Sequence, residues 1–422
     1  MTDRITRLRV QGFRSLADVT LELSGLTVLI GDNGSGKSTF IEVCETLRYF
    51  ANSGASLQDY FQEHPSPVRA GGNSLTLSVE IESDNPKREP KLHYGFTVQH
   101  TNHSVSIPDE SLWVNGTGAT KRYAFRRDES EALVFDPAQK KLVQVGREGG
   151  RLLMTMLGGQ PHRVGERSIE LLAIERLIRV LQGIEVHVPF EVVPAWVAKR
   201  FARKSASRES SMLQPASRLE VLASNLANVF AKLRSEYGEA HWNETMDYVR
   251  LGLGDDVDSV TVQPYAAGGQ HALAIRYKSL GALIPAAGLS DGTLAYLTFV
   301  ALMRMPSERS LLAFDEPELH LHPALLTRVV SMFERISKKC PVIVTTHSDR
   351  FLDVLREPAS SVVLCQLDDQ RATQLLRPDP DMLQKWLSDF RGLGDLRSSG
   401  LEAAVMEVRE ANRAPRRKGS KR

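Results

Sequence analysis

The sequence predicts an α/β protein with an antiparallel β subdomain and an inserted helical lobe. Three observations predict it. Compact apolar runs at 26–30, 311–314 and 342–344 each lead into a glycine-rich or polar turn, as buried strands do. Residues 74–145 alternate apolar and polar between turn signals such as Asn115-Gly116. Helical periodicity covers 169–181 and about 218–233, where Leu219, Leu222, Leu226, Val229 and Leu233 fall three or four apart.

At the N-terminus, Ile5, Leu8 and Val10 and then Val19, Leu21 and Leu23 predict two strands about the turn from Gly12 to Leu16. Leu26 to Ile30 predicts a buried strand, followed by a glycine-rich loop and a helix from about Lys37 to Phe50. After about Val257 strands and helices alternate: strands at 259–263 and 272–277, helix 290–304, strand 310–315, helix 323–337, then strands 341–346 and 360–366. The expected organisation is 1–200 as the N-terminal part of a head with the β subdomain, 201–256 as a helical insertion, 257–376 as the C-terminal part of the head, and 377–422 as C-terminal helices and a basic tail.

Composition narrows the class. The 422 residues are 42% hydrophobic and 25% charged with a formal net charge of +2, ordinary globular usage that names no partner. Cys44, Cys340 and Cys365 are too few and too scattered for a disulfide framework or a zinc knuckle. The N-terminus lacks a signal-peptide pattern, and no apolar run approaches the ~18 residues of a membrane span, so a cytoplasmic, unprocessed protein with no membrane partner is expected.

The run from Gly31 through Asn33, Gly34, Ser35 and Gly36 to Lys37 and Ser38 fits G-x-x-x-x-G-K-[ST] between a strand and a helix start. Glycines let backbone N–H groups close on phosphate oxygens, and the helix N-terminus adds positive potential. Lys37 is expected on the β- and γ-phosphates of ATP, Ser38 on Mg²⁺, and Thr39 near the α-phosphate. Leu311 to Glu316 is an apolar strand ending in two acids, with Asp315 directed to Mg²⁺ and Glu316 the candidate base for the attacking water. Val342 to Ser348 is a third such strand, and His347 at its end reads as a γ-phosphate sensor. Ser290 and Gly292, in Leu289-Ser290-Asp291-Gly292-Thr293, precede a helix. They form either a plain capping turn or a second phosphate-binding surface.

Taken together, these motifs resemble the ABC-type ATPase heads of the RecF, SMC and OLD group. The strings Gly12-Phe13-Arg14-Ser15-Leu16 and Asp315-Glu316-Pro317-Glu318-Leu319-His320-Leu321-His322-Pro323 resemble its compact AAA-family members in particular. The resemblance covers 1–50 and 285–350. It implies a P-loop NTPase of ABC-ATPase head type and an ATP-sandwiched homodimer, in which Ser290 and Gly292 of one copy close on nucleotide held by Lys37 of the other, with Pro317 to His320 along the seam. The Leu-Ser-Asp-Gly-Thr form and the long interval between residues 31 and 290 argue against a transporter subunit. Two roles fit the group: a switch ATPase regulating a separately encoded effector in a bacterial defence or toxin-type module, and a DNA-binding ATPase of repair or genome maintenance.

Other features stay open at this level. Gln99, Gln144 and Gln160 are all candidates for the Q-loop glutamine, and Arg14 is either a nucleotide or DNA contact or a turn residue. The basic stretch 199–208 reads as a solvated linker or a DNA or RNA contact, as does the tail 413–422. The His320-x-His322 pair lacks companion metal ligands, and Asp379-Pro380-Asp381 imitates a nuclease D-x-D but fits an ordinary turn.

Overall fold

The computed structural model describes residues 3–407 apart from 53, 64–66, 87–88, 102–103, 117–119, 147–149, 158–167, 191, 193–206, 209, 267–269, 388–389, 391 and 402–404. Two compact units are present, one formed by Met1–Gln182 with Arg356–Arg422 and the other by Gly183–Leu355.

In the first unit, β1 (Asp3–Phe13) and β2 (Leu16–Glu22) form the expected ribbon, with Leu8 opposite Leu21 and Val10 opposite Val19. β3 (Leu26–Gly31) is buried along its whole length, which is why its sequence runs apolar instead of alternating. β4 (Ser74–Ser83), β5 (Leu92–Thr101), β6 (Ser104–Asn115), β7 (Lys121–Arg127), β8 (Ala132–Asp136) and β9 (Lys141–Gln144) extend the ribbon into an eight-stranded sheet of order β2-β1-β4-β5-β6-β7-β8-β9. Its strands bury alternate residues, Leu75, Leu77, Val79 and Ile81 on β4 facing inward with Leu92, Tyr94, Phe96 and Val98 on β5. The helix Ile169–Gln182 covers β6 and β7 with Ala173, Ile174, Leu177 and Leu181.

The second unit carries three parallel strands, β10 (Ile184–His187), β15 (Leu311–Asp315) and β16 (Val342–Thr345), with Asp315 paired to Thr345. Between them in sequence, β11 (Ser211–Met212), β12 (Val257–Ala266), β13 (Gln270–Tyr277) and β14 (Leu283–Pro285) make a small antiparallel sheet around β13. The helices Asp291–Arg304 and Pro323–Ile336 close a core in which the rings of Phe299, Phe314 and Phe333 lie 5.1 to 5.8 Å apart. Back in the first unit, β17 (Val362–Leu367) runs parallel to β3, β18 (Thr373–Pro378) antiparallel to β17, and β19 (Met406–Glu407) antiparallel to β18.

The predicted fold class holds, and two local differences have physical causes. The helix expected from about Arg218 begins only at Leu226, because the Asn225 side chain accepts from the Glu220 N–H at 3.0 Å and donates to the Arg218 carbonyl at 2.9 Å, closing a loop where helix bonds would form. A further helix, Gly238–Leu253, was not predicted: its buried face is only Trp242, Thr245, Met246 and Val249 among charged residues, too sparse a pattern to read. All three cysteines are buried free thiols, and burial pushes Cys44 and Cys365 up to about 12 and Cys340 up to about 11.

Candidate functional site

In the first unit β3 delivers the loop 31–36 to the helix Lys37–Phe50. The loop depends on its glycines. Gly31 has φ 138°, and a Cβ there would lie 2.1 Å from the Cys365 carbonyl on β17; Gly36 has φ 100°, and a Cβ would meet the hydroxyls of Thr373 and Ser15 at 2.5 and 2.7 Å. Gly36 offers the helix no side-chain cap, and no acid stands in the first turn, so the N–H groups and the helix dipole present positive potential uncompensated by carboxylate. Lys37 is buried and donates to the Gly31 and Asp32 carbonyls at 3.0 and 2.9 Å. Ser35 is buried, Asn33, Gly34 and Ser38 are exposed, and Thr39 is half-buried.

Three residues outside the motif brace this loop. Thr373 on β18 donates to the Ser35 carbonyl and to Ser15 Oγ, each at 2.9 Å. Arg69 donates to the carbonyls of Arg14, Ser15, Gln370 and Arg371, tying the ribbon turn to the β17–β18 turn. Arg14, at φ 48°, pairs with Glu42 of the helix after the loop at 2.6 Å. Gln99 lies on β5 and Gln144 ends β9, whereas Gln160 lies outside the described residues.

The second unit gathers Asp315, Glu316 and His347 at the C-terminal ends of β15 and β16. Thr345, wholly buried, donates its hydroxyl to Asp315 Oδ1 and accepts the Glu316 N–H at 3.2 Å, while its carbonyl accepts the same N–H at 3.1 Å. Glu316 sits at φ 44°, a conformation that costs a non-glycine residue of order 1–3 kcal/mol. That cost turns its carboxylate out of the strand, and Glu316 Oε1 lies 3.6 Å from His347 Nε2, both side chains about one third exposed. The turn after β15 then folds back: Glu318 Oε1 accepts from Thr346 Oγ1 at 2.6 Å and from the His347 N–H at 3.0 Å.

Ser290 caps the helix Asp291–Arg304, its hydroxyl accepting the Thr293 N–H at 3.2 Å. A Cβ on Gly292 would stand 3.0 Å from the His320 carbonyl, so this glycine admits the turn after β15 within its own chain. Behind the turn, buried Arg208 pairs with Asp291 and donates to the carbonyls of Ala286 and Leu289 at 3.0 and 2.6 Å. The end of the basic stretch is therefore a buried anchor, neither solvated linker nor nucleic-acid contact; 199–206 and the tail 413–422 lie outside the described residues. His322 Nδ1 accepts the Ala324 N–H at the start of the helix Pro323–Ile336, and Asp379 caps the helix Pro380–Trp386 through the Met382 N–H at 2.7 Å. Among the described residues no three His, Cys, Asp or Glu side chains group as metal ligands, and no helix is long and apolar enough to cross a membrane.

A family profile described as an AAA domain, putative AbiEii toxin, Type IV TA system, matches residues 162–353, and one described as an AAA ATPase domain matches residues 4–110. A solved SMC head, bound to the C-winged helix domain of ScpA, aligns with a TM-score of 0.51 at 13% identity over 90% of this chain and 99% of that one. These likenesses support a RecF-, SMC- and OLD-like ABC-type ATPase, each family profile covering less than half of the chain.

The chain is 22% identical over 399 residues to an OLD nuclease of Thermus scotoductus, covering 89% of itself and 65% of the nuclease. It is 33% identical over 92 residues to protein ea59 of Escherichia phage lambda, covering 21% of itself and 17% of ea59. It thus spans less than two thirds of the length of either relative. Sequence reasoning missed the supports of the candidate motifs, namely Thr345, the contacts of Glu318, Arg69, Thr373 and Arg208. Only Thr345 and Glu318 lie close to a motif residue in sequence, each two positions away, and that nearness does not disclose their partners.

Proposed function

We propose that the chain binds ATP with Mg²⁺ and hydrolyses it to ADP and phosphate, and that ATP-dependent pairing of two copies makes it a switch for a separately encoded effector. The observation that carries the hydrolytic reading is the strand-end set of Asp315, Glu316 and His347, with Glu316 forced to a left-handed backbone and its carboxylate 3.6 Å from the imidazole. A structural ion pair needs no such strain.

The loop 31–36 and the first turn of its helix bind the phosphates through backbone N–H groups, and Lys37 moves from the carbonyls of Gly31 and Asp32 to phosphate oxygens. The Ser38 hydroxyl and the Asp315 carboxylate are hard oxygen donors of the kind that suit Mg²⁺, and Thr345 orients the second of them. Bound there, the ion would neutralise charge on the β- and γ-phosphates. Glu316 orients a water and accepts its proton as the water oxygen attacks the γ-phosphorus, the bond to the β–γ bridging oxygen breaks, and ADP leaves. His347 donates to a γ-phosphate oxygen and stabilises the charge that develops. Ser290 and Gly292 serve the nucleotide of a second copy.

The effector reading draws on two findings. The profile over 162–353 is described by a putative toxin of a toxin–antitoxin system, and the SMC head that shares this fold was solved holding a domain of another protein. The test is phosphate release measured beside ATP binding. The wild type is expected to turn over ATP, Lys37→Ala to lose affinity, and Glu316→Gln to bind ATP while losing about 10²-fold or more in turnover. Normal hydrolysis by Glu316→Gln would remove the role given to that carboxylate.

A further inference from the structure

Glu318 has no part in the hydrolytic scheme above, yet its surroundings are built around it. It stands two residues past Glu316 and reaches the end of the neighbouring strand β16. There one oxygen, Oε1, accepts both the Thr346 hydroxyl at 2.6 Å and the His347 N–H at 3.0 Å. The Thr346 hydroxyl in turn accepts the Ser348 N–H at 3.0 Å, and Ser348 caps the short helix Asp349–Asp353. Thr346 is wholly buried, so water does not reach its hydroxyl to replace that bond. A single carboxylate oxygen therefore holds Thr346 and His347 directly, and Ser348 through the Thr346 hydroxyl. The other oxygen, Oε2, is buried and accepts no hydrogen bond among the described residues.

Burial, with the nearby Glu316 charge, raises the pKa of Glu318 against the bonds that lower it. Whichever form the carboxyl takes, Oε1 remains an acceptor. The geometry needs an acceptor here and does not need a charge.

We propose that Glu318 is a positioning residue for the switch, fixing through Oε1 the peptide from which His347 projects and so holding the imidazole beside Glu316. The proposal rests on the reading of Glu316 and His347 as the hydrolytic pair. Thr345 of β16 holds the acid side of that pair by bonding Asp315 and Glu316, and Glu318, in the turn after β15, holds the histidine side.

The test uses the full chain with Glu318→Ala, Glu318→Gln, His347→Ala and the double variant Glu318→Ala/His347→Ala. Glu318→Ala is expected to keep ATP affinity and to lower kcat about tenfold or more, as loss of the acceptor for two donors implies. Glu318→Gln, whose amide oxygen accepts the same two donors, is expected to restore most of that loss. The double variant is expected to turn over no more slowly than His347→Ala, because Glu318 acts through the histidine. Wild-type kcat in Glu318→Ala, a Gln variant as slow as the Ala variant, or losses that multiply in the double variant would each overturn the proposal.

Amide exchange at His347, followed by NMR on histidine-labelled protein without nucleotide, reads the same contact independently of turnover. Exchange about tenfold faster in Glu318→Ala and unchanged in Glu318→Gln is expected, and wild-type protection in Glu318→Ala would overturn the contact itself. If His347→Ala and Glu316→Gln hydrolyse ATP normally, the hydrolytic pair is what fails, and the exchange result still decides whether Glu318 holds the peptide.

Discussion

Replacing Thr345 by valine exchanges one hydroxyl for a methyl group of nearly the same size at a wholly buried position. The methyl group neither donates to Asp315 Oδ1 nor accepts the Glu316 N–H, but that N–H keeps the Thr345 carbonyl at 3.1 Å, so the backbone ladder survives. What is lost is one charge-assisted hydrogen bond, worth about 1.5–3 kcal/mol, in a place that water does not reach. Because Asp315 is the proposed Mg²⁺ ligand, the loss is expected chiefly in metal dependence: supports of metal ligands typically contribute about 10–100-fold in affinity. The assay is phosphate release at saturating ATP across a Mg²⁺ titration, with melting temperature as a control for folding. Thr345→Val is expected to need about 10–100-fold more Mg²⁺ for half-maximal rate, and Thr345→Ser, which keeps the hydroxyl, to stay near the wild type. A valine variant with wild-type Mg²⁺ dependence, or a serine variant as impaired as valine, would refute the orienting role.

Gly252→Ala places a Cβ 2.2 Å from the Tyr296 ring, so the helix Gly238–Leu253 must shift on the helix Asp291–Arg304; a loss of about 1–3 kcal/mol in urea denaturation is expected. Unchanged stability would show that this helix contact is soft. Glu110 is wholly buried and raised from 4.5 to about 7, chiefly by burial, against the N–H groups of Leu153 and Met154 that lower it. A carboxyl whose folded pKa lies above its unfolded value contributes stability that is complete below about 4.5 and is lost as pH rises through about 7. At most about 3 kcal/mol of the stability difference between pH 4.5 and pH 8 is then expected to vanish in Glu110→Gln, and an unchanged difference would exclude Glu110 as its source.

The candidate nucleotide-site motifs were legible because the chemistry proposed for them fixes residue type and spacing locally: glycines that permit φ 138° and 100°, a lysine one position later, and acids ending an apolar strand. The antiparallel β subdomain was legible because β4 and β5 alternate burial residue by residue, whereas its union with the N-terminal ribbon in one sheet was not. What supports the motifs was not legible, because it depends on register and on distant partners. Thr345 matters only because it pairs with Asp315 across β15 and β16, and no local pattern gives that alignment. Arg208 lies in a basic, serine-rich stretch that reads as solvated surface, and its partner Asp291 comes from far along the chain. Gly292 has a reason within its own chain, the approach of the His320 carbonyl, that its place in a capping turn does not disclose.

Native mass measurement of Glu316→Gln, with and without ATP and Mg²⁺, bears most directly on the switch. A monomer that becomes a dimer only with nucleotide, and that reverts when Ser290→Arg is added, is the expected result. A mass indifferent to ATP, in a variant shown to bind it, would contradict the nucleotide-gated pairing of two copies.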